Sequence, residues 1–143
     1  MSDDLLPTRG EQVQAFLGRT PFAQEIGMRC EVMGDEMTAV MPFQKKLIGN
    51  FTIQALHGGA IAAFLELTAM AQVYLVTEHL ERPPRPINIS IDYLRQGHAQ
   101  DTFARATITK MGRRICSVRA EAWQGERSKP VTSLLAHFKV SGD

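Results

Sequence analysis

The sequence is poor in the side chains that build metal centres, disulfide frameworks and aromatic platforms. It has two cysteines, one tryptophan and two tyrosines in 143 residues. Cys30 and Cys116 lie far apart and match no Cys-x-x-Cys spacing, and neither a His-Glu-x-x-His motif nor a Cys/His cluster occurs. A metal site and a disulfide scaffold are therefore not expected. The two thiols read as small apolar side chains inside reduced strands. Charge of one sign is also lacking, since 16 basic residues against 15 acidic ones leave a net charge of +1. That excludes nucleic-acid binding driven by bulk charge and leaves anion recognition to local clusters. The opening Met1-Ser2-Asp3-Asp4 is acidic and lacks the basic-then-apolar order of a secretory signal. A cytoplasmic protein is expected.

What is present is one long apolar run. His57-Gly58-Gly59 leads into Ala60 to Val76, which is interrupted by Glu66, Thr68 and Gln72. Those polar residues and the two opening glycines argue for a buried core helix rather than a membrane span of about 20 apolar residues. The expected helix runs from the glycines to Leu80 and is stopped by Pro83, Pro84 and Pro86. It is apolar nearly all round, so it should be surrounded on every side.

The rest of the chain supplies the wrapping. Residues 1–9 read as a flexible leader. Val13, Phe16 and Leu17 have the spacing of a short amphipathic helix ended by Gly18. Ile26, Met28, Cys30 and Val32 alternate with polar residues like a strand, and Gly34-Asp35 turns into a second strand over Met37 to Met41. Pro42 to Gln54 has no period, and a 13-residue loop in a small domain is more often functional than filler. After the helix, Ile87, Ile89, Ile91 and Tyr93 alternate with Asn88, Ser90 and Asp92. Strands over 102–110, 114–123 and 131–140 follow, and short turns at Gly112 and Gly125 make them antiparallel neighbours. The expected architecture is a single α+β domain, residues 1–143, in which a curved antiparallel sheet wraps one long central helix. Such a sheet has open edges, and joining them in a dimer would cover them.

An ionisable residue inside a core helix is costly unless it is paired, neutral or functional. Burial of Glu66 among Ala62, Ala63, Leu65, Leu67 and Ala69 would make it a stronger base. The Gly59 N–H, at a helix start, would be free to donate to a developing anion. Against these stand plainer readings: a carboxylate in a salt bridge or at a dimer seam, and a simple tight turn.

These residues resemble a family. His57-Gly58-Gly59 with an acid seven positions after the second glycine is similar to the PaaI-type acyl-CoA thioesterases, related to the 4-hydroxybenzoyl-CoA thioesterases, as are Asn88 to Arg95, Ala104-Arg105-Ala106 and Gly112-Arg113-Arg114. The resemblance spans Ile26 to Val140 and implies the hotdog fold. It implies hydrolysis of an acyl- or aryl-CoA thioester to free acid and CoA, with no metal and no cofactor beyond the coenzyme A of the substrate. Glu66 would be general base or nucleophile, Gly59 the oxyanion donor, Asn50 a contact to water or thioester, and His57 a support for the turn. Gly58 would lie against substrate. Phe51, Phe64 and Met70 are candidates for an acyl pocket, and Arg95, Arg113 and Arg114 for the CoA phosphates, with Arg113 first. The acyl-CoA site would lie across the interface of a homodimer or homotetramer. Two departures stand out. Most of the PaaI branch has Asp where this chain has Glu66, and Pro86-Ile87 offers no hydroxyl where some relatives hold water. The rival readings are a non-catalytic hotdog protein binding acyl-CoA or a lipid-like ligand, and a dehydratase with a His–Asp or His–Glu pair.

Overall fold

The computed structural model describes residues 8–77, 80 and 82–141. The leader expectation falls largely on residues outside that range, but Thr8 and Arg9 are ordered. Thr8 caps α1 (Arg9–Gly18) through a capping box: its hydroxyl accepts the Glu11 N–H and the Glu11 carboxylate accepts the Thr8 N–H, both at 3.1 Å. Val13, Phe16 and Leu17 are buried, as their spacing predicts. Phe16 stacks on Tyr74 with ring centroids 5.0 Å apart, and Arg19 donates to the Tyr74 hydroxyl at 2.9 Å.

A second helix, α2 (Pro21–Glu25), takes Ile26, the first residue of the expected strand, as its C-cap. Proline at the first helical position presets the backbone, and Gly27, at φ 67°, stops the turn. The strand β1 (Arg29–Met33) therefore starts late. It pairs with β2 (Glu36–Met41) as the expected hairpin. The following segment is not plain loop. It holds a 3₁₀ turn (Lys45–Leu47) and a small ladder of β3 (Ile48–Asn50) with β4 (Ala55–Leu56).

The central helix α3 spans Gly58–Val76 and ends four residues before Leu80. Its 19 residues rise about 28 Å at 1.5 Å each. The strand β5 (Arg85–Tyr93), nine residues long, reaches about 30 Å. Then come β6 (Thr102–Met111), β7 (Ile115–Trp123) and β8 (Thr132–Lys139). The six-stranded antiparallel sheet has the order β1-β2-β6-β7-β8-β5.

Phe64, Leu65 and Ala69 of α3 share one hydrophobic core with Ala104, Val118, Ala120, Leu134, Ala136 and Phe138, and Thr68 and Gln72 are buried as well. Each large side chain so buried contributes about 1.5–3 kcal/mol. The helix is nonetheless not surrounded. Gly59 is exposed, and Ala60, Ala63, Glu66, Leu67 and Met70, at helical spacing from it, remain half-buried. By length and composition α3 would cross a membrane, but here it is a core helix against a sheet.

The two sheet edges differ. Gln14 of α1 donates to the Cys30 carbonyl at 3.1 Å and so satisfies one acceptor on β1. Nothing among the described residues pairs with the outer edge of β5. A bulge between Pro86 and Asn88 breaks the expected alternation: Ile89 and Ile91 oppose the buried Ala136 and Leu134, while Ile87 falls out of register and is 54% exposed.

Candidate functional site

The start of α3 is held by main-chain bonds that leave the Gly59 N–H unused. The His57 N–H donates to the Leu47 carbonyl at 2.8 Å, and the Leu56 N–H to the Gly97 carbonyl at 3.0 Å. His57 occupies the N-cap position, yet its side chain caps nothing. The His57 carbonyl takes the N–H groups of Ala60 and Ile61, and no acceptor among the described residues takes that of Gly59. Beyond the missing Gly59 side chain lies open space, with nothing within 4 Å of where a Cβ would sit. An uncapped helix N-terminus that faces open space suits an incipient oxyanion.

The neighbouring glycines serve packing. At Gly58 a Cβ would come within 3.2 Å of the Tyr93 ring, whose hydroxyl donates to the Gly58 carbonyl at 3.0 Å. Gly58 is thus a seat for Tyr93. At Gly49 a Cβ would meet His57 Nδ1 at 2.7 Å. The His57 ring lies over the β3 backbone, which fits the supporting role expected of it. Gly49 is a site residue that the motif alone does not reveal; its signal was only its place in the flagged loop.

Glu66 lies two turns beyond Gly59 and is the only carboxylate of α3. It is half-buried, not engulfed, because it sits on the uncovered face with Ala63, Leu67 and Met70. Burial cost within one protomer therefore does not argue against an idle carboxylate. No salt bridge to it occurs among the described residues. Asn50 forms an ordinary turn, its side-chain oxygen accepting the Thr52 N–H at 3.0 Å. Phe51 beside it is 62% exposed.

Phe64 is fully buried. It is core, because its position on the helix points at the sheet. Met70 stays on the Glu66 face. Arg95 donates to the Pro130 carbonyl at 2.7 Å and lines a shallow cavity of about 340 Å³ with His98 and Lys129. Arg113 and Arg114 do not join it. Ile115 and Arg85 both oppose Lys139, whereas Tyr93 opposes Thr132 at the other end of the sheet. The two arginine groups of one protomer are thus separated by roughly a strand length, about 25–30 Å.

An apolar cavity of about 560 Å³ opens beside the start of α3. Its walls are Phe22 and Ile26 of the α2 region, Leu47 of the 3₁₀ turn, and His57, Gly59, Ala60 and Ala63, with Glu25 and Lys46 paired at 2.9 Å. Glu66 and Asn50 are not among its lining residues. Phe22, Ile26, Lys46 and Leu47 were missed in the sequence, where the only hints were Thr20-Pro21 and the unexplained loop. Cys30 and Cys116 are buried and unpaired, and burial pushes their thiols up to about 12 and about 11. No group of metal-ligating side chains occurs among the described residues.

A curved antiparallel sheet of six strands with one long central helix is the hotdog fold. Comparison with known proteins gives the family. Residues 47–139 match the acyl-CoA thioesterase N-terminal domain family, and the chain belongs to it. The medium/long-chain acyl-CoA thioesterase YigI of Escherichia coli K12 is 27% identical over 141 residues, covering 89% of this chain and 90% of that protein. A protein of known structure from Chromobacterium violaceum is 35% identical, with a TM-score of 0.72 and coverage of 90% and 91%. A thioesterase from Haemophilus influenzae shares the fold at 22% identity, with a TM-score of 0.77 and coverage of 93% and 90%.

Proposed function

We propose that this enzyme hydrolyses medium- to long-chain acyl-CoA to the free acid and CoA, through a site completed by two copies of the chain. The observation that carries the chemistry is the unused N–H of Gly59, an exposed residue that lines an apolar cavity. A thioester carbonyl oxygen seated on that N–H is polarised, and the charge of the tetrahedral intermediate is met by the helix dipole. Glu66 acts on the carbonyl carbon in one of two ways. As base it takes a proton from water, whose oxygen adds to the carbon; the C–S bond then breaks and the thiolate leaves, regaining a proton as CoA-SH. As nucleophile it displaces the thiolate itself, and water cleaves the resulting anhydride. The preference for longer chains rests on the similarity to YigI and on the apolar cavity.

The dimer supplies what one protomer lacks. The open edge of β5 carries Ile87 and Tyr93, 54% and 57% exposed, with Leu94 and the Phe51–Ile53 turn adjoining it. Pairing of two β5 edges about a two-fold axis covers this surface. Antiparallel pairing also brings the Arg113 and Arg114 end of one copy to the Arg95 end of the other, which gathers the cations a polyanionic CoA requires. In this arrangement Glu66 serves a site whose Gly59 belongs to the other copy, and Asn50, with its amide N–H₂ free, reaches the same site. The whole chain acts as one hotdog unit with no metal or cofactor, and two unpaired thiols suit the reducing cytoplasm.

The test is CoA release, followed with DTNB over aliphatic and aryl acyl-CoAs. Glu66→Gln is expected to lose about 10²–10⁴-fold in kcat with its fold intact by circular dichroism. Wild-type turnover in the mutant refutes Glu66 as the acting group. A wild type inert on every acyl-CoA points instead to a binding protein.

A further inference from the structure

We infer that the cavity walled by Phe22, Ile26, Leu47, Ala60 and Ala63 receives the acyl chain of the substrate, and that Phe22 covers its distal methylenes. The inference rests on the thioesterase reading above and goes beyond it by assigning the chain to one compartment. The carbonyl oxygen at the Gly59 N–H fixes where the chain begins. Two arms leave the carbonyl carbon: the acyl chain, and the sulfur with its CoA. The cavity starts at His57 and Gly59 and continues between α2, the 3₁₀ turn and the first turns of α3.

Its lining selects between the arms. Phe22, Ile26, Leu47, Ala60 and Ala63 offer hydrocarbon, and the only charged side chains there, Glu25 and Lys46, pair with each other at 2.9 Å. A polyanionic CoA finds no free cation in it, whereas Arg95, Arg113 and Arg114 lie elsewhere. At about 560 Å³ the cavity falls within the range of ligand sites, about 300–1,000 Å³. Alanine at positions 60 and 63 leaves the room for a chain to lie along the helix.

Phe22 is the wall that α2 contributes from the exposed side. It is 42% exposed although apolar, so its ring is available to a ligand and adds little to the core. The Glu25–Lys46 pair is exposed on both sides and ties α2 to the 3₁₀ turn across the cavity. An exposed pair of this kind is worth little and opens easily.

The test compares kcat/KM across a saturated acyl-CoA series from short to long for wild type, Phe22→Ala and Ala63→Val. Each methylene that finds apolar cover is worth about fourfold in kcat/KM. Phe22→Ala is expected to reduce the long-to-short ratio about tenfold or more, by stripping cover from the distal methylenes. Ala63→Val, acting from the opposite wall, narrows the cavity and reduces the same ratio by crowding the chain. Thermal melts establish that both variants are folded. If wild type hydrolyses acyl-CoA and neither variant changes the ratio, or both lose activity uniformly at every length, the chain does not occupy this cavity and the inference is overturned while the thioesterase reading stands. If wild type hydrolyses no member of the series, the thioesterase reading fails and the inference falls with it.

Discussion

Three glycines near the start of α3 do three different jobs. Gly49 exists for His57, Gly58 for Tyr93, and Gly59 for open space. Gly49→Ala is therefore expected to lower both the melting temperature and activity, because the new methyl group would lie 2.7 Å from His57 Nδ1. Gly59→Ala is expected to leave the melting temperature unchanged or higher, since alanine is the better helix former by about 0.8–1.0 kcal/mol. Its turnover is expected to fall, because the methyl group stands where the thioester approaches. Melts and DTNB assays on the two variants separate the roles; equal loss of stability in both would remove the special place given to Gly59. Phe64 makes a similar contrast. Its aromatic character and its place near Glu66 suit an acyl pocket in the sequence, yet the helical phase turns it into the core. Phe64→Ala is expected to cost about 3–5 kcal/mol in urea unfolding and to leave chain-length preference alone in whatever fraction folds.

The two thiols give a prediction with a sign. Burial raises Cys30 and Cys116 to about 12 and about 11, from 9.0 when exposed. The folded state holds these protons more tightly than the unfolded one. The stability this supplies is fully present below about pH 9 and is lost as pH rises through about 11 and 12. Native protein at pH 8 is expected to yield no rapid DTNB colour of its own, and two thiols once unfolded in guanidinium. Prompt reaction of native protein would show that β1 or β7 opens readily.

At the scale of elements, periodicity found what was long and regular. The β6–β7–β8 meander follows from alternation and short turns, and α1 follows from Val13, Phe16 and Leu17. It failed where tertiary fit overrides local pattern. Thr20-Pro21 and Gly27 outvote the alternation that made Ile26 a strand residue. The helix α3 ends at Val76, ahead of the prolines expected to stop it. The bulge after Pro86 throws Ile87 out of the face it shares with Ile89 in the sequence. The uncovered stripe on α3 was hidden too, since an all-apolar helix looks the same from every side until the sheet chooses one.

At the scale of the molecule, the proposed dimer would complete what one protomer leaves open. It would cover an open sheet edge, a half-covered helix and exposed Phe51, Ile87 and Tyr93, and would bring together two cationic groups that lie at opposite ends of one copy. Ile87→Glu places a charge on the open edge, and it is expected to halve the mass found by light scattering at micromolar concentration and to lower activity. Mixing Glu66→Gln with Asn50→Ala subunits is expected to restore turnover through hybrid sites. No recovery, with subunit exchange confirmed by mass spectrometry of tagged chains, would count against a shared site.

The sequence by itself determined the family, the central helix and the strand meander, because motif spacing and hydrophobic period are local and short-range. It also placed Gly59 and Glu66 two turns apart on one helix. Only the tertiary structure decided which face of that helix stays open. It turned Phe64 into core and Gly58 into a seat for Tyr93. It set Arg95 a strand length from Arg113, and it built an apolar cavity from Phe22, Leu47 and Ala63. Those outcomes depend on helical phase, register and the finite length of a sheet, which emerge only when distant segments pack together.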